Sequence, residues 1–260
     1  MRIVVGLKQV PDDTFGPPLS WGGDPAASGQ QAWMLSPFDR YALEEGLRIR
    51  DATSGEVVVA HVGPDHPPSV LTEGLALGAD RAVHVWDPAL GDLDPLGTAR
   101  VLACVLRRLA PVDLILCGQR GVGEEHGQIP GLLAELLDLP QVTFVVRTEL
   151  LDGGRLRVER EVEGAREIWE TSLPAVLSAQ KGLNEPRQRS LKGVLGARKK
   201  PTERLGTADL TLAGADLAPQ LQIDAVRPTA PRGAVRMLTG EPDAQARELV
   251  RLLREEGRLP

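Results

Sequence analysis

The sequence predicts an α/β protein: a doubly wound, mostly parallel sheet with added antiparallel strands, then a C-terminal extended strap ending in a helix. Three observations carry that expectation. Short β-branched runs alternate with helix-length amphipathic segments through the first half of the chain, as successive βαβ units do. Those runs are nearly continuous in apolar residues, as strands covered on both faces are. From Gln141 onward strand follows strand around turn signals, with no helix between them.

In chain order, buried strands are expected at residues 3–10, 57–62, 82–86 and 114–117. "SPFDRYALEEGLRIR" supplies the first helix, with Ser36 as N-cap, Pro37 at the first helical position and Asp39 closing a capping-box variant. "PSVLTEGLALGAD" reads as a shorter helix ended by Gly78. "DPLGTARVLACVLRRLA" repeats the Asp-Pro start, with Leu96, Ala99, Leu102, Val105, Leu106 and Leu109 as its apolar stripe, and "GQIPGLLAELLDL" supplies another helix. Residues 17–35 are rich in Gly and Pro and read as a surface hairpin interrupting the first crossover. Asp152-Gly153-Gly154 marks a hairpin turn, and residues 155–163 alternate in period 2, so these strands are expected on an antiparallel edge. Glu159, Glu161 and Glu163 then share one solvated face. The domain is expected to span residues 1–189. Residues 190–260, without aromatics, are expected to lie on another polypeptide and to finish in the amphipathic helix "EPDAQARELVRLLREEG", whose apolar side holds Leu249, Leu252 and Leu253.

Composition narrows the function. A 260-residue chain with 42% hydrophobic residues supports a real core, and a net charge of −6 opposes a general nucleic-acid binder. No apolar stretch approaches the roughly 20 residues of a membrane-crossing helix, and "RIVVGLKQV" suits a strand better than a signal peptide. Cys104 and Cys117 lack CxxC spacing and read as reduced core thiols. A soluble, cytoplasmic protein is expected. The four histidines, His61, His66, His84 and His126, show no metal-ligand spacing, and no GxSxG or HExxH occurs. His61 and His84 are expected to be packed, whereas His126 lies within reach of a loop-bound ligand.

In an open parallel sheet, ligands bind beyond the carboxyl ends of the strands. Residues 9–13, 62–65 and 118–128 qualify. The last, "GQRGVGEEHGQ", follows a strand, contains Gly118, Gly121, Gly123 and Gly127, and opens a helix. Such glycines let backbone N–H groups approach a phosphate. By itself the loop reads either as a nucleotide site or as a plain turn. Glu124 and Glu125 oppose a polyphosphate, which leaves a monophosphate or a backbone-held diphosphate. One further segment breaks the acidic trend. Within and just beyond "NEPRQRSLKGVLGARKKP", the span from Arg187 to Arg204 holds Arg187, Arg189, Lys192, Arg198, Lys199, Lys200 and Arg204 against a single acid, Glu203.

Here a resemblance enters. "LNEPRQRSLKGVLGARKKP" resembles the signature of the electron transfer flavoprotein β subunit, in which L-N-E-P-R precedes a Leu-bearing loop and a lysine run. "VGLKQVPD", "SPFDRYALEEGLRIRD", "GLALGADRAVHV" and "DLILCGQRGVGEEHGQIPGLLAELLDLPQVT" resemble further family segments in the same order. The resemblance implies an adenine-nucleotide-hydrolase-like, Rossmann-like fold without hydrolysis, in an electron carrier with no catalytic residues of its own. It implies pairing with an α subunit holding FAD, and transfer from flavin dehydrogenases to a quinone reductase or other acceptor, with no nucleic acid and no membrane insertion. The β pocket would hold a structural AMP, or a second FAD in electron-bifurcating members. By position that pocket is Gly6, Ser36, Pro37, Phe38, Asp39, Val62, Gly118, Gln119, Arg120, Gly121, Val122, Gly123, Glu124, Glu125, His126, Gly127, Gln128 and Ile129, and residues 11–15 would approach the partner's flavin. Dehydrogenase docking falls on Asn184, Glu185, Pro186, Arg187, Leu191, Val194, Leu195, Lys199 and Lys200, with Leu191 as anchor and the flanking cations raising the encounter rate. Ser36 stands where the family has Asn, and Arg120, Gly121 and His126 depart from the usual loop. A universal-stress-like nucleotide-binding protein is the alternative of another class; it explains the Gly-rich loop but not the basic segment.

Overall fold

The computed structural model describes residues 1–12, 32–66, 69–91, 93–212, 217–221, 224 and 235–258. The chain divides into two compact units, Met1–Asp224 and Ala225–Pro260. Among the described residues the first unit holds a nine-stranded sheet. Its strands are β1 (Arg2–Gly6), β4 (Glu56–Val62), β5 (Arg81–Val85), β6 (Leu114–Gly118), β7 (Gln141–Leu151), β8 (Arg155–Val162), β9 (Ala165–Ser172), β10 (Ala175–Ala179) and β11 (Thr202–Leu205), in the order β11-β5-β4-β1-β6-β10-β7-β8-β9. β2 (Gln9–Pro11) and β3 (Trp33–Leu35) form a separate antiparallel pair.

Strand order follows from burial. Successive residues of the central strands point to opposite faces, and both faces are apolar and covered. Ile3, Val5, Val57, Val59, Leu114 and Leu116 join one core with Leu43, Leu47, Leu71 and Leu75 of α1 (Pro37–Thr53) and α2 (Val70–Leu77). Val4, Val58, Ala60 and Ile115 join the other with Val101, Val105, Leu133 and Ala134 of α3 (Pro95–Arg108) and α4 (Ile129–Leu137). This is the doubly wound class expected from the continuous apolar runs. β7, β8 and β9 pair antiparallel at one edge, through Val158↔Trp169 and Thr148↔Val158, as the Asp-Gly-Gly turn implied.

Two expectations are corrected. Residues 3–10 are not one strand: β1 ends at Gly6, and Lys8 turns its N–H to the Asp39 carboxylate at 2.7 Å instead of to a ladder. The chain then restarts as β2, so Val10 pairs with Met34. Nor does Asp39 close a capping box. Its carboxylate accepts from Lys8 and from Gly118 N–H at 2.9 Å, while Ser36 donates its N–H to the Lys8 carbonyl at 3.0 Å. The Asp94 cap stands, accepting from Gly97 N–H, and Ser69 caps α2 by accepting from Thr72 N–H. β3, at the end of the expected 17–35 hairpin, pairs with β2 upstream of it; residues 13–31 lie outside the described residues.

Residues beyond Ser190 contribute more to the α/β unit than their composition implies. α5 (Leu191–Ala197) approaches α2 so closely that a Cβ at Gly193 would collide with the Ala76 carbonyl, and β11 extends the sheet beside β5. The compact unit therefore runs on to Asp224. Among the described residues of the second unit, α6 (Pro242–Glu255) has no buried residue; Leu249 and Val250 are exposed, and Leu252 and Leu253 are half-buried. Arg236 and Arg251 pair with Glu248 on its surface.

Candidate nucleotide-loop site and partner segment

The carboxyl ends of β1 and β6 and the start of α1 are drawn together by Asp39. With one oxygen on Lys8 N–H and the other on Gly118 N–H, this buried carboxylate ties two parallel strands to a helix N-terminus. The helix dipole favours an acid in that first turn. Gly118 is required by proximity: a Cβ there would collide with the Asp39 carboxylate and stand 2.8 Å from Phe38 Cβ and 2.9 Å from Asp39 N. Gly6 is looser, since its Cβ would meet Cys117 Sγ at 3.5 Å. Val62 lies half-buried at the end of β4, beside the Gly63 turn that hydrogen-bonds Val85. Pro37 occupies the first helical position as expected.

Beyond Gly118 the loop folds on its own charges. Gln119 turns into the sheet, its amide oxygen accepting from Phe144 N–H at 3.0 Å and from the Ser178 hydroxyl. Arg120 lies 5.2 Å from the centre of the Phe38 ring and pairs with Glu125 at 2.8 Å, the first a cation–π contact. Lys8 pairs with Glu124, and His126 Nδ1 lies 3.8 Å from the same carboxylate. Gly123 and Gly127 take positive φ, as does Glu125. Val122 and Gly127 are half-buried and Gln128 exposed, and Ile129 opens α4. Lys8, absent from the sequence-derived pocket, is thus one of its central cations. Its signal was visible: one lysine interrupting an apolar run where a parallel strand ends.

The Ser36 side chain is fully buried, and its hydroxyl has no hydrogen-bond partner among the described residues. Buried hydroxyls are rarely left so, and this one adjoins Lys8 through the Ser36 N–H. An adenine nucleotide fits the residues present. The α1 N-terminus, the loop N–H groups, Lys8 and the unpartnered Ser36 hydroxyl are groups of the kind that would hold its phosphate.

Burial pushes the Asp39 carboxyl up to about 7, against the downward pull of the Lys8 and Gly118 N–H groups and of the Lys8 charge. The unfolded carboxyl titrates near 3.8. Between those values the folded state holds the extra proton, so the stability from this group falls as pH rises through the window. Asp39→Asn removes that titration. In urea unfolding, the stability advantage of wild type over the variant is expected to be larger near about pH 5 than near about pH 8; an equal difference at both would show that Asp39 does not titrate there. Burial also pushes the Cys117 thiol up to about 12, leaving it protonated. His61 and His84 are packed as expected: they stack at 5.8 Å, and His61 reaches the Leu7 and Pro64 carbonyls. Among the described residues no group of three or more His, Cys, Asp or Glu could hold a metal ion.

The basic segment is stapled at both ends. Asn184 Nδ2 reaches the Tyr41 carbonyl and Glu45, and Arg187 forks onto Glu44 at 2.8 and 3.0 Å and onto Asp51 at 3.3 Å. Lys200 donates to the Leu75 and Ala79 carbonyls at 2.9 and 2.6 Å, as a cation at a helix C-terminus does. Three residues expected at the partner surface thus spend their donor groups within the chain, while the Asn184 amide oxygen has no partner among the described residues. Between the staples, Ser190 caps α5 through Gly193 N–H. Leu191 is 76% and Leu195 64% exposed, with Val194 and Lys199 exposed beside them. Glu185 is exposed and Pro186 half-buried.

Fold and site together define a doubly wound α/β protein with a glycine-rich loop at its carboxyl strand ends and a separate basic segment carrying a short, apolar-tipped helix. A family model described as "Electron transfer flavoprotein domain" matches residues 27–210. The chain is 38% identical over 229 residues to the electron transfer flavoprotein subunit beta of Bacillus subtilis, covering 87% of this chain and 88% of that protein. It is 37% identical over 215 residues to that of Thermoanaerobacterium thermosaccharolyticum (80% and 79% covered) and 36% identical over 229 residues to that of Sus scrofa (86% of each). The chain belongs to the electron transfer flavoprotein family, on its beta-subunit side. No helix of the described residues is long and apolar enough to cross a membrane.

Proposed function

We propose that this chain is the beta half of a heterodimeric electron carrier. It pairs with an alpha subunit, accepts electrons from flavin dehydrogenases and passes them to a quinone reductase or other acceptor, working in the cytoplasm without catalytic residues of its own. Similarity to beta subunits across more than four-fifths of the chain carries this reading. FAD, shared with the alpha subunit, supplies the one- and two-electron chemistry when bound. This chain's residues bind and position: Ser36, Lys8 and the 118–129 loop hold an AMP. Residues 11–15, of which 13–15 lie outside the described residues, face the partner's flavin.

Residues 184–200 form the dehydrogenase dock. Leu191 and Leu195 stand clear of a platform held by Arg187 and Lys200, and an exposed apolar tip on a rigid base suits a partner's groove. Lys192, Arg198 and Lys199 are left to steer an acidic partner. α6 lies on the alpha subunit, which covers its apolar side.

The complex is tested by co-purifying the chain with its alpha subunit, releasing nucleotides with acid and counting them by chromatography. A ratio of one FAD and one AMP per heterodimer is expected. A second FAD in place of AMP would make the beta pocket redox-active and convert the reading to an electron-bifurcating protein. FAD without any second nucleotide would remove the pocket from the proposal.

A further inference from the structure

We propose that Lys8 and Glu124 form an internal charge latch across the loop that begins at Gly118, in which the Glu124 carboxylate occupies the place on Lys8 that a ligand's phosphate takes. The inference rests on the nucleotide reading of this pocket and adds to it the residue that receives the phosphate and the residue that competes with it.

The cation is held from both sides of its own backbone. Lys8 donates its N–H to Asp39 at 2.7 Å and accepts from Ser36 N–H at 3.0 Å, so its Cα is placed by a buried carboxylate and a helix N-terminus. Its side chain then runs over Gly121. A Cβ at 121 would stand 2.9 Å from Lys8 Cδ and 3.1 Å from Nζ, so the glycine makes room for the lysine. At the end of that path Nζ pairs with Glu124, whose carboxylate also lies 3.8 Å from His126 Nδ1. The second acid, Glu125, is drawn off by Arg120 at 2.8 Å.

Three properties make this contact exchangeable. Both side chains are substantially exposed, Lys8 at 42% and Glu124 at 60%, and ion pairs in that setting are weak. A phosphate offers more acceptor oxygens at higher charge than a carboxylate and forms stronger charge-assisted bonds. The Ser36 N–H holds the Lys8 carbonyl, and the Ser36 hydroxyl, fully buried, has no partner among the described residues. A phosphate and Glu124 repel each other on one ammonium, so binding must drive Glu124 off. The latch thus lowers affinity for phosphorylated ligands and leaves unphosphorylated ones alone.

The test is calorimetric titration of the full 260-residue chain, freed of nucleotide, with AMP and with adenosine. Glu124→Gln, which keeps the size and removes the charge, is expected to tighten AMP about fivefold to tenfold, and Lys8→Met to weaken it about tenfold or more. Adenosine affinity is expected to stay within about twofold for both variants, which also reports that the pocket remains folded. AMP binding wild type and both variants alike, with adenosine unchanged, would overturn the latch and leave the nucleotide reading standing. Equal wild-type affinity for AMP and adenosine would do the same. Failure of wild type to bind either probe would bring down the nucleotide reading and the latch together.

Discussion

Gly118→Ala is expected to destabilise the protein by about 3 kcal/mol or more, an effect large for a single methyl group. The added Cβ has nowhere to go: it meets the Asp39 carboxylate, Phe38 Cβ at 2.8 Å and Asp39 N at 2.9 Å, all on the first turn of α1. The helix must back away, which stretches the Gly118–Asp39 bond and then the Lys8–Asp39 bond that shares the same carboxylate. A buried carboxylate stripped of its donors adds a desolvation penalty of about 1–3 kcal/mol to the steric one. Gly6→Ala is the control at the neighbouring strand end. Its Cβ would lie 3.5 Å from Cys117 Sγ, an ordinary contact, so a loss within about 1 kcal/mol is expected. Equal losses for the two variants in urea unfolding would show that the close approach of α1 to β6 does not organise the site.

Leu191→Ala and Arg187→Met are expected to impair electron acceptance by separable routes. Leu191 is 76% exposed and packs on nothing essential, so its truncation should leave the unfolding midpoint unchanged. It should nonetheless slow acceptance from the dehydrogenase at low protein concentration by about thirtyfold, the equivalent of a 2 kcal/mol hot spot. Arg187 works from below. It satisfies Glu44, which is buried, and reaches Asp51. Removing the guanidinium leaves the buried Glu44 carboxylate with the Arg187 backbone N–H and no countercharge, at about 2 kcal/mol after allowance for the third of Arg187 that faces water. Arg187→Met should therefore lower both stability and acceptance. An acceptance rate untouched by Leu191→Ala, measured under second-order conditions, would remove the docking role from this helix.

Much of the fold was legible because it is local. Continuous apolar runs such as residues 57–62 suit strands covered twice, and Asp94-Pro95 announces a helix start through a bond made three residues away. Asp152-Gly153-Gly154 set the β7–β8 register in the same way. The site was legible only in outline. Gly118, Gly123 and Gly127 marked a loop where backbone is approached or φ is positive, yet what each polar residue does there depends on partners far along the chain. Asp39 looked like a capping residue because the spacing from Ser36 allowed it, and instead joins residues 31 and 79 positions away. Arg187 and Lys200 looked like free surface cations, and instead hold residues 143 and 125 positions away.

The sequence by itself determined the doubly wound class, the antiparallel edge, the family and the place of the exposed leucines, since periodicity, turn chemistry and contiguous motifs are written along the chain. Only the tertiary structure decided which charges are spent inside: Lys8 on Glu124, Arg120 on Glu125, Arg187 on Glu44, Lys200 on the end of α2. The reason is physical. A charged side chain reaches several ångströms in any direction its backbone permits, so its partner is chosen by how the strand ends and helices converge, and that convergence is set by the two apolar cores rather than by the charges themselves.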